Sequence, residues 1–254
     1  MTDHETVARI ERAMARNLQD YVSALASAGL EGAWIRVGGG VAAFTGMDTP
    51  LSTVKGAGPE LNAADLDRIE AFFASHAAPP VVEAAPWLTD ASQRELARRG
   101  YEVRDQEDVV VAQPSGAGTA STAVIDTVPL DEWEELIASG FDLPRSSSLT
   151  ALLRASWSLP GAHSFGLLSE GSWVAGAQTA AYPDHRVVVF GNDATRPSAR
   201  GRGAHAALIQ HRVSLLPDGH LAVAEVEPGS GSERNYLRCG FAVAYARSHW
   251  AAPG

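Results

Sequence analysis

One cysteine, Cys239, stands in a chain of 254 residues, so no disulfide can close within it and a reducing setting is the simplest expectation. Long apolar runs are missing as well, and no stretch approaches the length that spans a bilayer. The residues Met1-Thr2-Asp3-His4-Glu5 are polar and acidic with no signal-peptide pattern, so a cytoplasmic location and no membrane partner are expected. Positive charge is scarce. With 20 Lys and Arg against 30 Asp and Glu, the formal net charge is −10, which argues against broad nucleic-acid binding. The 8 histidines are scattered and none has His-Glu-x-x-His spacing, so no metal site is expected. What is present, 45% hydrophobic and 20% charged residues, suits a globular protein of one large domain or two ordinary ones.

Apolar side chains recur at helical spacing from Thr6 to Ala28 (Val7, Ile10, Met14, Leu18, Leu25), with Gly29 placed to end the helix. Trp34–Val37 and Val41–Phe44 flank three glycines and read as a hairpin. Residues 51–58 fit a strand ending in Gly56-Ala57-Gly58. Asn62 is an N-cap for a helix through Phe73. Val81–Ala84 reads as a strand, Ser92–Arg99 as a helix and Val109–Val111 as a strand. Gln113 to Ala120 is small, polar and punctuated by Gly and Pro, as a linker is. A strand at 123–128, helices at 130–139 and 148–158, and a hairpin of 163–168 with 173–181 follow. Strands at 187–190, 221–226 and 241–246 and a helix at 232–238 complete the pattern.

Between the strand at Val187–Phe190 and a helix starting at Ala204 lies a turn with Arg196, Arg200, Gly201, Arg202 and Gly203. The first N–H groups of a helix have no partner inside it and its dipole is positive there, while glycine lets a ligand come close to the backbone. Strand, glycine turn and helix together make an anion site, most simply for a pyrophosphate. No Lys-Ser or Lys-Thr follows the glycines and GxGxxG order is absent, which excludes a P-loop and a dinucleotide fingerprint. An acidic chain needs local positive charge to hold such an anion, and Arg196, Arg200, Arg202, His205, His211 and Arg212 could supply it.

This stretch resembles motif A of the GNAT superfamily of N-acyltransferases, Arg/Gln-x-x-Gly-x-Gly/Ala with a proline three residues before the arginine. Pro197, Arg200 and Gly203 match, and His205 stands where Gly or Ala is usual. The element order after the linker is similar to that fold too. The two halves echo each other: Glu83-Ala84-Ala85-Pro86 and Arg98-Arg99-Gly100-Tyr101 parallel Glu225-Val226-Glu227-Pro228 and Arg238-Cys239-Gly240-Phe241. The expectation is therefore an α/β (α+β, mixed-sheet) chain of two tandem GNAT-like domains. Residues 1–113 form a degenerate first domain, 114–121 a linker and 122–254 the acyl-CoA-binding domain. Gly56-Ala57-Gly58 has no counterpart of Arg200, so only the second half is expected to bind.

The resemblance implies acetyl-CoA, or another acyl-CoA, in a wedge between the fourth and fifth strands of that fold. Ala194, Thr195, Arg196, Arg200, Gly201, Arg202, Gly203, Ala204 and His205 would contact it, with Ser232 and Asn235 beside the pantetheine arm. Backbone N–H groups at 194–196 would polarise the thioester carbonyl. Tyr236, four residues before Gly240-Phe241, falls where the family keeps the proton donor to sulfur, and the matching first-half residue is Leu96. For a base, Asp193 is the carboxylate nearest the end of the central strand, with Glu225 and Glu227 on the next. The acceptor would be a small-molecule amine, with Arg154, Trp157 and Trp173 as wall candidates, in a monomer or homodimer. A non-catalytic acyl-CoA sensor and an aminoacyl-tRNA-dependent transferase of the same fold are the alternatives.

Overall fold

The computed structural model describes residues 2–47, 49–59, 61–114, 124–143 and 147–253. All but Pro114 of the expected linker lies outside the described residues. In chain order the elements are α1 (His4–Ser27), β1 (Ala33–Val37), β2 (Gly40–Phe44), β3 (Thr53–Lys55), α2 (Ala63–Ser75), β4 (Val81–Ala84), α3 (Asp90–Arg98) and β5 (Glu102–Ala112). Then come β6 (Val124–Asp126), α4 (Leu130–Phe141), α5 (Ser147–Trp157), β7 (Ala162–Ser169), β8 (Ser172–Tyr182), β9 (Val187–Thr195), α6 (Ala204–Ser214), β10 (Leu221–Val226), α7 (Gly231–Arg238) and β11 (Ala242–Ala251).

These elements form two compact units, residues 1–108 with 244–254, and residues 109–243. The expected division followed chain order, and the units do not. Most of β11 lies in the first unit, antiparallel to β4 with Ser248 opposite Ala84 and Ala251 opposite Val81. The end of β5 lies in the second unit, next to β10. The last strand of each half thus crosses the division, β11 for most of its length and β5 only at its end. Strand patterning tells which face is buried, not which strand lies alongside, so this crossing left no mark in the sequence.

In the first unit the strand order is β1-β2-β3-β4-β11-β5. The apolar stripe of α2 (Leu66, Ile69, Phe73) buries against Phe44, Val54 and Val82. Arg247 of β11 is fully buried and reaches Glu11 of α1, Glu83 of β4 and Glu107 of β5. Lys55 Nζ lies 2.5 Å from Glu83 Oε2. Glu83, Glu107 and His249 bring three donor atoms within 4.8 Å of one another, with these two cations already among them. Buried charges must be paired, and removing one partner of such a group typically costs about 3–5 kcal/mol.

In the second unit the order is β5-β10-β9-β8-β7-β6. Between β8 and β9 the register passes from Gly176↔Ala194 to Gln178↔Gly191, so Ala177 faces both Asn192 and Asp193. That extra residue is a β-bulge, and Asn192 turns it with φ of 54°. Parallel pairing of β9 with β10 covers Val187–Val189 against Leu221–Val223, although the strands run on to Thr195 and Val226. Past the paired stretch the two strands part and leave a wedge.

Candidate functional site

The wedge opens into a cleft of about 910 Å³ within the second unit. Asp193, Thr195, Arg200, Gly201, Gly203, Ala204, His205, Ser232 and Asn235 of the sequence expectation line it, together with Glu227, Arg238 and Phe141. Gly203 caps α6 at φ 82° with no side-chain hydrogen bond, so the first-turn N–H groups of the helix carry no side-chain cap. Gly201 has φ 76°, and a Cβ added at either glycine would meet nothing within 4 Å. Backbone conformation, not crowding, requires glycine there, and the space above the loop is open to a ligand.

The matching helix of the first unit is closed. Asn62 caps α2 by accepting from the N–H groups of Ala64 and Asp65 at 3.0 and 3.2 Å. Asp65 accepts from Asn62 N at 3.4 Å and from Gly38 N at 3.2 Å, placing a carboxylate where an anionic ligand would sit. A Cβ on Gly40 would overlap the backbone of Lys55 and Gly56, and Trp87 Nε1 donates to Ala57 O at 2.9 Å. One helix start is spent internally; the other is free.

The arginines divide. Arg200 donates through Nη2 to Gly140 O at 2.8 Å and through Nε to Thr195 O at 3.2 Å, bracing the loop against the end of α4. Arg202 is exposed and lines a separate apolar pocket of about 300 Å³ with Leu167, Leu168 and Val174. Arg196 gives its N–H to Val174 O at 2.9 Å, so that group is not available to a thioester carbonyl as the sequence suggested. Sides alternate along a strand, which turns the Thr195 N–H away from β8 toward the wedge. The expected basic patch also shrinks. Arg212 is 1% and His211 7% exposed, because α6 turns both inward onto the sheet.

Arg212 instead makes the buried heart of the site. It donates to Asp193 Oδ1, to Gln178 O at 2.9 Å and to Leu208 O at 3.1 Å, and stacks on Phe190 at 4.4 Å. Tyr236, 1% exposed on α7, donates its hydroxyl to Asp193 Oδ2 at 2.5 Å. Burial pushes the Asp193 carboxyl upward, but the Arg212 charge, His205 and the Tyr236 hydroxyl outweigh it and hold the group below the usual carboxylate range. Burial, then the Asp193 charge, push the Tyr236 phenol well above its usual range. Sequence reasoning found both residues and missed their bond, since 43 positions separate them.

His205, on the first turn of α6, has Nδ1 2.9 Å from Asn235 Nδ2 and Nε2 3.6 Å from Asp193 Oδ1. Arg238 donates to Asn235 Oδ1. Cys239 is partly buried, with Sγ 3.7 Å from Ala206 O, and burial raises its thiol. Trp157 donates to Val128 O at 2.9 Å and Arg154 pairs with Glu134 at 2.9 Å, so these proposed wall residues serve the α4–α5 layer. The ring of Trp173 packs against Gly166, where a Cβ would clash with it.

No protein-family model matches the sequence, and neither does any curated protein. Solved structures do match the fold. A GCN5-related N-acetyltransferase from Kribbella flavida superposes with a TM-score of 0.66 at 18% identity, covering 94% of this chain and 95% of that one. A tandem GNAT protein from the clavulanic acid biosynthesis pathway gives 0.59 at 14% identity, covering 88% and 84%. A GCN5-related N-acetyltransferase from Sphaerobacter thermophilus gives 0.57 at 15% identity, covering 88% and 77%. The fold is thus that of the GNAT acetyltransferases, and it occurs in tandem.

Proposed function

We propose that this chain, with its tandem GNAT fold, is an N-acyltransferase whose second unit takes acyl-CoA and moves an acetyl or other short acyl group to the amine of a small molecule. The observation that carries this reading is the uncapped start of α6 at the mouth of the cleft, where β9 and β10 part. An unsatisfied helix start with two left-handed glycines suits a diphosphate, and the parted strands suit a narrow amide-bearing arm. Bound acyl-CoA would supply an activated thioester carbonyl. The Gly201–His205 backbone would hold the diphosphate, Arg200 would keep the loop in shape, and the Thr195 N–H would face the carbonyl.

Over the whole reaction an ammonium acceptor loses two protons, one to the departing sulfur and one to water. The Tyr236 hydroxyl lies beneath the cleft and not on its lining, and its raised range keeps it protonated at neutral pH, as a proton donor must be. Asp193 holds that hydroxyl in place. One observation favours the second reading, a non-catalytic acyl-CoA sensor: the Tyr236 hydroxyl is bonded to Asp193 and not free. The net charge of −10 weighs against a tRNA-dependent transferase. Calorimetry with coenzyme A tests binding, and thiol release from acetyl-CoA across a panel of amines tests transfer. Binding without release for any amine supports the sensor; absence of binding removes both readings.

A further inference from the structure

We propose that His205 is the proton acceptor of the cleft and that Asn235 keeps it covered until the cofactor arm arrives. The inference rests on the acyltransferase reading and adds to it the group that deprotonates the acceptor amine.

Asn235 fixes the state of the ring. Its Oδ1 accepts from Arg238, which leaves the amide N–H to face His205 Nδ1 at 2.9 Å. Nδ1 is therefore the lone-pair nitrogen, and the ring proton sits on Nε2, turned toward Asp193 Oδ1 at 3.6 Å. Nε2 stands beyond hydrogen-bond reach of that carboxylate, and the lone pair on Nδ1, covered by the Asn235 amide, is what offers the cleft a base. Asp193 itself is poorly suited to take a proton, because Arg212 and Tyr236 occupy its two oxygens. Glu227, the other carboxylate among the lining residues, is exposed.

The charged and titratable groups around the ring are Asp193 from β9, Arg212 further along α6, and Tyr236 and Arg238 from α7. Arg200 and Glu227 stand on the cleft wall. Asn235 lies on the cleft wall beside the parted strands, where the arm of coenzyme A carries two amide carbonyls. A carbonyl that takes the Asn235 N–H uncovers Nδ1. The acceptor ammonium then gives one proton to Nδ1, its nitrogen keeps the electron pair for attack, and the imidazolium returns that proton to water. The departure of His205 from the usual Gly or Ala of the loop thereby acquires a chemical use.

Nitrogen NMR of the histidine rings, with coenzyme A as the probe, tests this without turnover. The expected result is a shift of the His205 Nδ1 signal on adding coenzyme A to the wild type and no comparable shift in Asn235→Ala, where Nδ1 is already bare. In the kinetic arm, His205→Ala should lower kcat about 10²–10⁴-fold and abolish the acid limb of the kcat–pH profile, with coenzyme A affinity within about two-fold. Coenzyme A that binds and leaves the His205 signal unmoved overturns this proposal alone. Coenzyme A that does not bind overturns the functional reading beneath it.

Discussion

The Tyr236 hydroxyl and the Asp193 carboxylate are bonded at 2.5 Å beneath the cleft, with Arg212 on the carboxylate's other oxygen. The residue that the sequence nominates as acid and the one it nominates as base form one buried unit. Each shifts the other, the phenol upward and the carboxyl downward.

Tyr236→Phe keeps the ring against Phe241 and removes the donor. As proton donor to sulfur, Tyr236 accounts for about 10²–10⁴-fold in kcat, so the variant should fall by that factor with coenzyme A affinity nearly unchanged. Steady-state kinetics and calorimetry read the two quantities separately. Wild-type kcat across pH would reduce Tyr236 to a support for Asp193.

Gly203→Asp should weaken coenzyme A at least about ten-fold, since a side chain at φ 82° costs about 1–2 kcal/mol and a carboxylate opposes an anion at a helix start. Gly203→Ala should lose less, by backbone strain alone. Equal affinity for both variants and the wild type in calorimetry would move the diphosphate elsewhere.

Titration with coenzyme A should give one site per chain. Opening a second would require displacing Asp65 and Asn62 from the start of α2, where they already satisfy the helix. A stoichiometry of two refutes the closed reading of the first unit.

The first unit should lose stability on both sides of a pH window. Burial raises Glu107, but Lys55, His249 and Arg247 bring it below its ordinary value of 4.5, so its contribution is present above that value and lost as pH falls through the folded one. Burial lowers His249, but Glu107 and Glu83 raise it above 6.5, so its contribution is complete below that value and lost as pH rises through the folded one. His249→Gln should flatten the alkaline side of a melting-temperature profile and leave the acid side. An unchanged alkaline side would remove His249 from the balance.

Local chemistry was legible in the sequence where neighbours in the chain are neighbours in space. The Gly201–Gly203 loop, the Asn62 cap and the Tyr236–Gly240–Phe241 end of α7 follow from spacing. The half-to-half echo extends to hydrogen bonds, with Tyr101 N bonded to Leu96 O and Phe241 N to Tyr236 O, both at 3.1 Å. What pattern does not carry is contact between distant positions. Arg212 and Arg247 look like surface charges in a list of residues, yet each is buried beside a carboxylate that another element supplies, Asp193 of β9 and Glu11 of α1. His205 and Asn235 were placed on the cofactor, and their bond to each other emerged only when α6 and α7 were set side by side.

The return of β11 to the first unit has a consequence for the order in which the chain can mature. Residues 109–243 form one continuous run, so everything the second unit needs is present once that run has been synthesised. The first unit begins earlier and finishes later: β4 waits for β11, and Glu11 waits for Arg247, 236 residues further along. Until then Glu83 and Glu107 lack their guanidinium partner and one side of β4 is an open strand edge, the kind that invites wrong pairing. The unit begun first is thus completed last, and the newly made chain is most exposed to misassembly in its N-terminal half.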